Sequence, residues 1–146
     1  MGTALKDKGW LEFKRGLAAA YDYIPHQLLR HFTRGLIDGD GSVSIRPHNP
    51  NRKLTPFMTY CDMYYEIVAK FLDVICSHCA IKRNKIYERP GGKLSSIHYS
   101  GTDAAKIINW AYDKCTIALS RKWHSALEII KLPQLPKYGE TPRPSE

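Results

Sequence analysis

The stretch from His26 to Gly41, HQLLRHFTRGLIDGDG, constrains the fold most, because it has helical spacing and ends in two aspartates separated by glycine. Apolar residues and glycines recur at intervals of three or four, which predicts one face of an α-helix: Leu28, Leu29, Phe32, Gly35, Leu36 and Gly39. Each glycine costs a helix about 1 kcal/mol relative to alanine. Small residues four apart let two helices approach closely, so the spacing predicts a helix that packs tightly against another helix.

Two carboxylates, Asp38 and Asp40, fall in the last turn of this predicted helix. The C-terminal end of a helix is the negative end of its dipole and disfavours a carboxylate by a few tenths of a kcal/mol. A cation bound beside the carboxylates would reverse that penalty. The stretch therefore predicts a helix that presents a carboxylate to a metal ion.

Length and charge place the chain in a broad class. Its 146 residues suit one domain with one core. No apolar run approaches the roughly 18 residues that cross a bilayer, and the first residues resemble neither a secretory signal nor a transit peptide. We therefore expect no membrane partner, and a cytoplasmic protein, bacterial or phage-encoded, or an organellar one if it is encoded there. The net charge of +8 predicts attraction to polyanions.

The rest of the chain alternates helix and paired strands. The predicted elements are a helix over about 8–20, the helix described above, strands over 42–48 and 55–61, a helix from Asp62 to about Cys76, strands over 83–89 and 94–100, and helices over 101–112 and 119–132. This order predicts an α+β fold with a mixed four-stranded sheet and helices on one face. We divide the chain into an N-terminal helical extension (1–25), a main domain (26–132) and a flexible proline-rich tail (133–146).

The uncovered face of this sheet is predicted to be basic and polar. Nine Lys and Arg stand against four Asp and Glu between residues 42 and 101. Such a face can reach both phosphates and base edges in a major groove, although an ordinary solvated sheet is the alternative. The candidate DNA-binding residues are Ser42, Ser44, Arg46, His48, Lys85, Tyr87, Arg89, Ser96, His98 and Ser100, with Arg52 and Lys53 at the turn between the first two strands.

The segment Thr33–Gly41 resembles the signature of the LAGLIDADG homing endonucleases. It matches that signature at Gly35, Leu36, Ile37, Asp38, Asp40 and Gly41, and differs at Thr33, Arg34 and Gly39. The order of elements over about 24–132 resembles the αββαββα fold of that family, with its saddle-shaped sheet. Because the chain carries one signature, the resemblance implies a homodimer that cuts double-stranded DNA at a near-palindromic site. The expected dimer interface is Phe32, Gly35, Leu36 and Gly39.

The resemblance also implies a mechanism. Asp40 would be the metal ligand, with the Gly41 carbonyl beside it, and hard oxygen ligands favour Mg²⁺ or Mn²⁺ over zinc. Asp38 is expected to organise the turn by accepting backbone N–H groups, and a role as a second metal ligand is the alternative. The segment 119–122 resembles the basic segment that carries a catalytic lysine in the family, which indicates Lys122, with Arg121 as its substitute; the alternative is a solvated cation at a helix start.

Three functions remain open from the sequence. The first is a site-specific DNA endonuclease of the kind encoded within an intron or mobile element. The second is a maturase that binds its own intron RNA, and the third is a DNA-binding regulator that has lost cleavage. The four cysteines do not add a fourth function, because Cys76 and Cys79 supply only half of a zinc-site spacing. We expect them to be reduced thiols.

Overall fold

The computed structural model describes residues 16–47 and 54–132, and the predicted order of elements is confirmed there. Residues 16–20 are helical, and a 3₁₀ turn follows at His26–Leu28. The elements after it are α1 (Leu29–Asp40), β1 (Gly41–Pro47), β2 (Leu54–Asp62), α2 (Tyr65–Cys79), β3 (Tyr87–Glu88), β4 (Ser95–Ser100), α3 (Gly101–Tyr112) and α4 (Ser120–Ile130). The predictions for residues 1–15, for His48, Arg52 and Lys53, and for the tail lie outside the described residues.

The four strands form one antiparallel sheet in the order β1-β2-β4-β3. The α+β class is therefore confirmed, but the expectation of a mixed sheet was wrong. Each hairpin joins its strands by a short connection, which fixes an antiparallel pair. The longer connection through α2 then brings β4 beside β2, again antiparallel.

The hydrophobic core lies between the helices and one face of the sheet. On the sheet side it holds alternate residues from the middle of β1, β2 and β4: Val43, Met58, Tyr60, Ile97 and Tyr99. The Tyr60 ring stacks on Phe71 of α2, with centroids 4.2 Å apart. Period-two alternation in the sequence predicts that Val43, Ile45, Ile97 and Tyr99 face the core. Val43, Ile97 and Tyr99 are buried, and Ile45 is partly buried against the core, which confirms the prediction.

The largest differences from the predicted boundaries lie at the start of α2 and in the third strand. Asp62 is predicted to begin α2 as its N-cap, but it is the last residue of β2, and its Oδ1 accepts the Tyr64 N–H at 3.0 Å. The predicted strand over 83–89 is reduced to the two residues of β3, so that Lys85 and Arg89 lie outside it. Among the described strands, β3 pairs with β4 alone and forms the edge of the sheet, where short strands are common.

The described end of the N-terminal extension packs against the main domain. Tyr21 is buried, its hydroxyl lies 3.3 Å from Thr33 Oγ1, and its ring meets that of Phe32 edge-on. Asp22 forms an ion pair with Lys70 of α2 at 2.7 Å. None of the helices within residues 16–47 and 54–132 combines the length and apolar character that crossing a bilayer requires.

Buried tyrosines make the stability of the fold sensitive to alkaline pH. Burial is the largest cause of a raised pKa at each of four residues: Tyr21, Tyr60, Tyr99 and Tyr112. Above pH 10 the unfolded chain therefore releases phenolic protons that the folded chain keeps, and stability falls as pH rises. The expected slope is up to about 1.4 kcal/mol per pH unit for each tyrosine.

Urea unfolding followed from pH 8 to pH 11 would measure this effect. Lys122 acts in the opposite direction, because burial lowers its pKa. The thiols of Cys61 and Cys79 act in the same direction as the tyrosines, because burial raises the pKa of each. A urea midpoint that stays constant or rises above pH 10 would contradict the expectation.

Candidate active site and nucleic-acid surface

The two glycines of α1 lie on the side of the helix that faces away from the core. The buried side carries Leu29, Thr33 and Ile37, whereas Gly35 and Gly39 are exposed. A Cβ placed on either glycine would meet no described atom within 4 Å. Packing within the described part of the chain therefore does not account for the glycines.

The exposed side of α1 is apolar as well as small. It carries the four predicted interface residues, and Leu28, which directly precedes α1 and is 48% exposed, continues the same side. Phe32 and Leu36 are half-buried, since Phe32 also contacts the Tyr21 ring. This side of the helix, consisting of Leu28, Phe32, Gly35, Leu36 and Gly39, is hereafter the glycine face.

Gly41 is required by a close approach between α1 and the sheet. Its backbone is extended, with φ −102° and ψ −179°, so its conformation suits any residue. A Cβ there would lie 2.8 Å from the Thr59 carbonyl oxygen and 2.9 Å from the Ile37 Cα. The missing side chain thus lets the last turn of α1 lie directly against β2.

This close approach places Asp40 at the junction between α1 and the sheet. Asp40 is the last residue of α1 and is exposed. The Cys61 thiol, on β2, donates a hydrogen bond to the Asp40 carbonyl oxygen at 3.3 Å. Burial raises the pKa of Cys61, and the negative charge of Asp40 raises it further. A carboxylate therefore stands beside a thiol that keeps its proton.

Lys122 reaches the same end of α1 from α4. Its side chain is only 5% exposed, and its Nζ donates to the carbonyl oxygens of Ile37 and Asp38, each at 2.6 Å. Burial lowers the pKa of Lys122, while the carboxylates of Asp38 and Asp40 oppose that shift. The ammonium group caps the negative end of the α1 dipole, so Lys122 is not the solvated cation considered as its alternative. Arg121, the substitute, is exposed.

Asp38 is held by two donors. Its Oδ1 accepts the Tyr112 hydroxyl at 2.6 Å, and its Oδ2 accepts the Leu119 N–H at 3.0 Å. One donor is thus a backbone N–H, as predicted, but it comes from the start of α4 and not from the turn of Asp38 itself. Sequence reasoning missed this link and the capping role of Lys122.

The outer face of the sheet, opposite the helices, is built in cross-strand rows. Residues that pair in register lie on the same face, and four rows follow from the pairing: Ser42–Thr59–His98, Ser44–Phe57–Ser100, Arg46–Thr55 and Cys61–Ser96–Tyr87. All the predicted DNA-binding residues in described strands lie in these rows. Lys85 and Arg89 flank the edge strand β3.

The β2 residues of this face were not predicted, although they form its middle. The segment Phe57–Cys61 is apolar apart from Thr59, and this hides the alternation that would have assigned Phe57, Thr59 and Cys61 to the outer face. Only the register with β1 reveals it.

Side chains of the outer face are connected to one another. Arg46 donates from Nε to the Ser44 hydroxyl at 3.2 Å, and its guanidinium lies 5.3 Å from the centroid of the Phe57 ring. On β4, the His98 Nε2 lies 3.1 Å from Ser96 Oγ. Hydroxyl, imidazole, guanidinium and aromatic groups therefore share one surface, a combination suited to phosphates and base edges.

No group of three or more His, Cys, Asp or Glu side chains within residues 16–47 and 54–132 comes together as a metal cage. Asp40 nevertheless offers an exposed hard oxygen ligand at the negative end of a helix, beside the Gly41 backbone. Such donors fit a divalent ion of the Mg²⁺ type, which keeps several waters and takes other ligands from substrate phosphates.

Comparison of the chain with models of known protein families and with curated protein sequences gives no significant match.

Proposed function

We propose that this protein is a site-specific endonuclease that hydrolyses double-stranded DNA as a homodimer, in the manner of the single-motif LAGLIDADG enzymes. The observation that carries the proposal is the position of Asp40. It is exposed at the end of α1, where the outer face of the sheet begins, and Lys122 is bonded to the same helix end. The succession α1-β1-β2-α2-β3-β4-α3 supports the finer assignment to the αββαββα fold with a saddle-shaped sheet.

The glycine face supports a dimer in which α1 packs against its own copy. One Asp40 serves one strand of a duplex, so that cutting both strands requires two. An isologous contact between two α1 helices would bring the two Asp40 residues toward a shared axis. The two outer faces would then contact the two halves of a near-palindromic site.

The chemistry assigned to each residue follows from its surroundings. Asp40 and the Gly41 carbonyl would hold Mg²⁺ or Mn²⁺, which when bound neutralises phosphate charge and activates a water. Lys122 gives two of its N–H groups to backbone carbonyls, which leaves one of the three for a water or a phosphate oxygen. The residues of the outer face position the duplex.

Cleavage of a randomised duplex library in Mg²⁺, with a parallel reaction in EDTA, tests the proposal. We expect a limited set of near-palindromic sequences to be cut in Mg²⁺ and none in EDTA. Selective DNA binding without cutting would favour the regulator, and tight Mg²⁺-independent binding to a structured RNA would favour the maturase. Either result would overturn the endonuclease assignment.

A further inference from the structure

Side chains of α1 hold the segment that joins α3 to α4. Arg34 is buried, and it donates from Nη1 to the Ala111 carbonyl and from Nε to the Ile117 carbonyl, both at 2.8 Å. One turn earlier, Arg30 donates to the Asp113 carbonyl at 3.2 Å. These carbonyls belong to the end of α3 and the connection after it, where helical hydrogen bonds run out.

Asp38 fixes the other end of the same segment. Tyr112, the last residue of α3, and Leu119, which directly precedes α4, both donate to the Asp38 carboxylate. Leu119 also fixes the start of α4, because its carbonyl oxygen accepts the Lys122 N–H at 2.9 Å. The position of the Lys122 backbone therefore depends on the bonds made by Asp38.

Lys122 needs such support because its side chain is long and flexible. A lysine side chain loses much of its conformational entropy when it is ordered, and burying an ammonium group adds a desolvation cost. Its bonds to the Ile37 and Asp38 carbonyls hold only while α4 stays in register with the end of α1. A shift of about 1 Å at a catalytic group can reduce a rate by about 100-fold.

We infer that Tyr112 is a positioning residue: through Asp38 and Leu119 its hydroxyl fixes the start of α4, and thereby holds the Lys122 ammonium beside Asp40. The inference rests on the proposed endonuclease function, in which Lys122 acts at the scissile phosphate. Arg34 secures the same segment from the side of α3. Tyr112 itself is buried, with 1% of its surface exposed, so we assign it a positioning role and not a catalytic one.

Tyr112→Phe tests the inference, because it removes one hydroxyl and keeps the ring in the core. We expect the single-turnover cutting rate to fall about 10-fold, with DNA affinity unchanged within about 2-fold, since a small displacement affects the transition state more than binding. We also expect Lys122 to become several-fold more reactive toward an acetylating reagent, measured by mass spectrometry at pH 8, since a loosened α4 exposes its amine.

Tyr99→Phe is the matched control. Tyr99 is also buried, and its hydroxyl donates to the Lys82 carbonyl at 2.9 Å and accepts the Asn84 N–H at 3.1 Å, away from α4. This variant should lose a similar amount of stability and leave both cutting and Lys122 acetylation at the wild-type level. A Tyr112→Phe protein with unchanged acetylation, or with unchanged cutting, would overturn the inference.

The labelling also separates this inference from the function on which it rests. If the wild-type protein cuts no duplex, the endonuclease assignment fails. The acetylation of Lys122 in Tyr112→Phe, compared with that in Tyr99→Phe, then still shows whether the hydroxyl holds the lysine in place. Equal acetylation in the two variants would reject the positioning role on its own.

Discussion

Asp40→Asn is expected to reduce DNA cleavage by at least about 1,000-fold while leaving metal-free DNA affinity within a few-fold of wild type. The substitution keeps the size of the side chain and removes the negative charge that would hold a divalent ion. Without that charge the metal ion is not held, and the transition state of phosphodiester hydrolysis is no longer stabilised. The substitution therefore lowers the cleavage rate and not the DNA affinity. Single-turnover cutting and binding measured in EDTA separate the two effects.

Asp40→Asn is not expected to destabilise the fold. Asp40 is exposed at the C-terminal end of α1, where the helix dipole slightly disfavours a carboxylate, while its attraction to the Lys122 ammonium acts in the opposite direction; we therefore expect only a small change in the melting temperature. Asp73→Asn is the control, because Asp73 is exposed on α2 and pairs with Arg83 at the surface; it should cut normally. Normal cutting by Asp40→Asn would remove Asp40 from the mechanism.

The parts of the fold set by local patterns could be predicted from the sequence. The end of α1 at Asp40 and the bounds of α3 follow from helical spacing and from glycines at the turns. The alternation in β1 and β4 assigned Val43, Ile97 and Tyr99 to the core, as observed. Each of these signals lies within about a dozen residues, where propensity and periodicity act.

The parts set by distant residues could not be predicted in this way. Arg34 and Lys122 are charged residues that are buried because each finds backbone carbonyls about 80 residues away in sequence. A periodicity argument assigns such residues to the surface. It also grouped Leu29 with Gly35 and Gly39 on one face, whereas Leu29 lies on the buried side and the glycines are exposed.

Leucine at both Gly35 and Gly39 should convert the protein into monomers. The glycine face has room for a side chain within the chain itself, because a Cβ there meets no described atom within 4 Å. In a dimer held by close contact of two α1 helices, however, the same leucines would occupy the space of the partner backbone. We expect the dissociation constant of the dimer to rise at least about 100-fold, an effect of about 3 kcal/mol, and double-strand cutting to be lost with it.

The double variant should weaken the dimer without destabilising the single chain. Measuring both quantities therefore distinguishes the loss of the interface from damage to the fold. Leucine in place of a helical glycine removes a penalty of about 0.5–1 kcal/mol per position, so the free energy of unfolding should not fall. Light scattering would give the mass in solution, 16.7 kDa for one chain, and urea unfolding would give the stability. Gly16→Leu is the control, since that glycine is also helical, has no described atom near its Cβ, and lies off α1. A double variant that remains dimeric would show that the glycine face is not the interface, and would leave the two Asp40 residues without a shared axis.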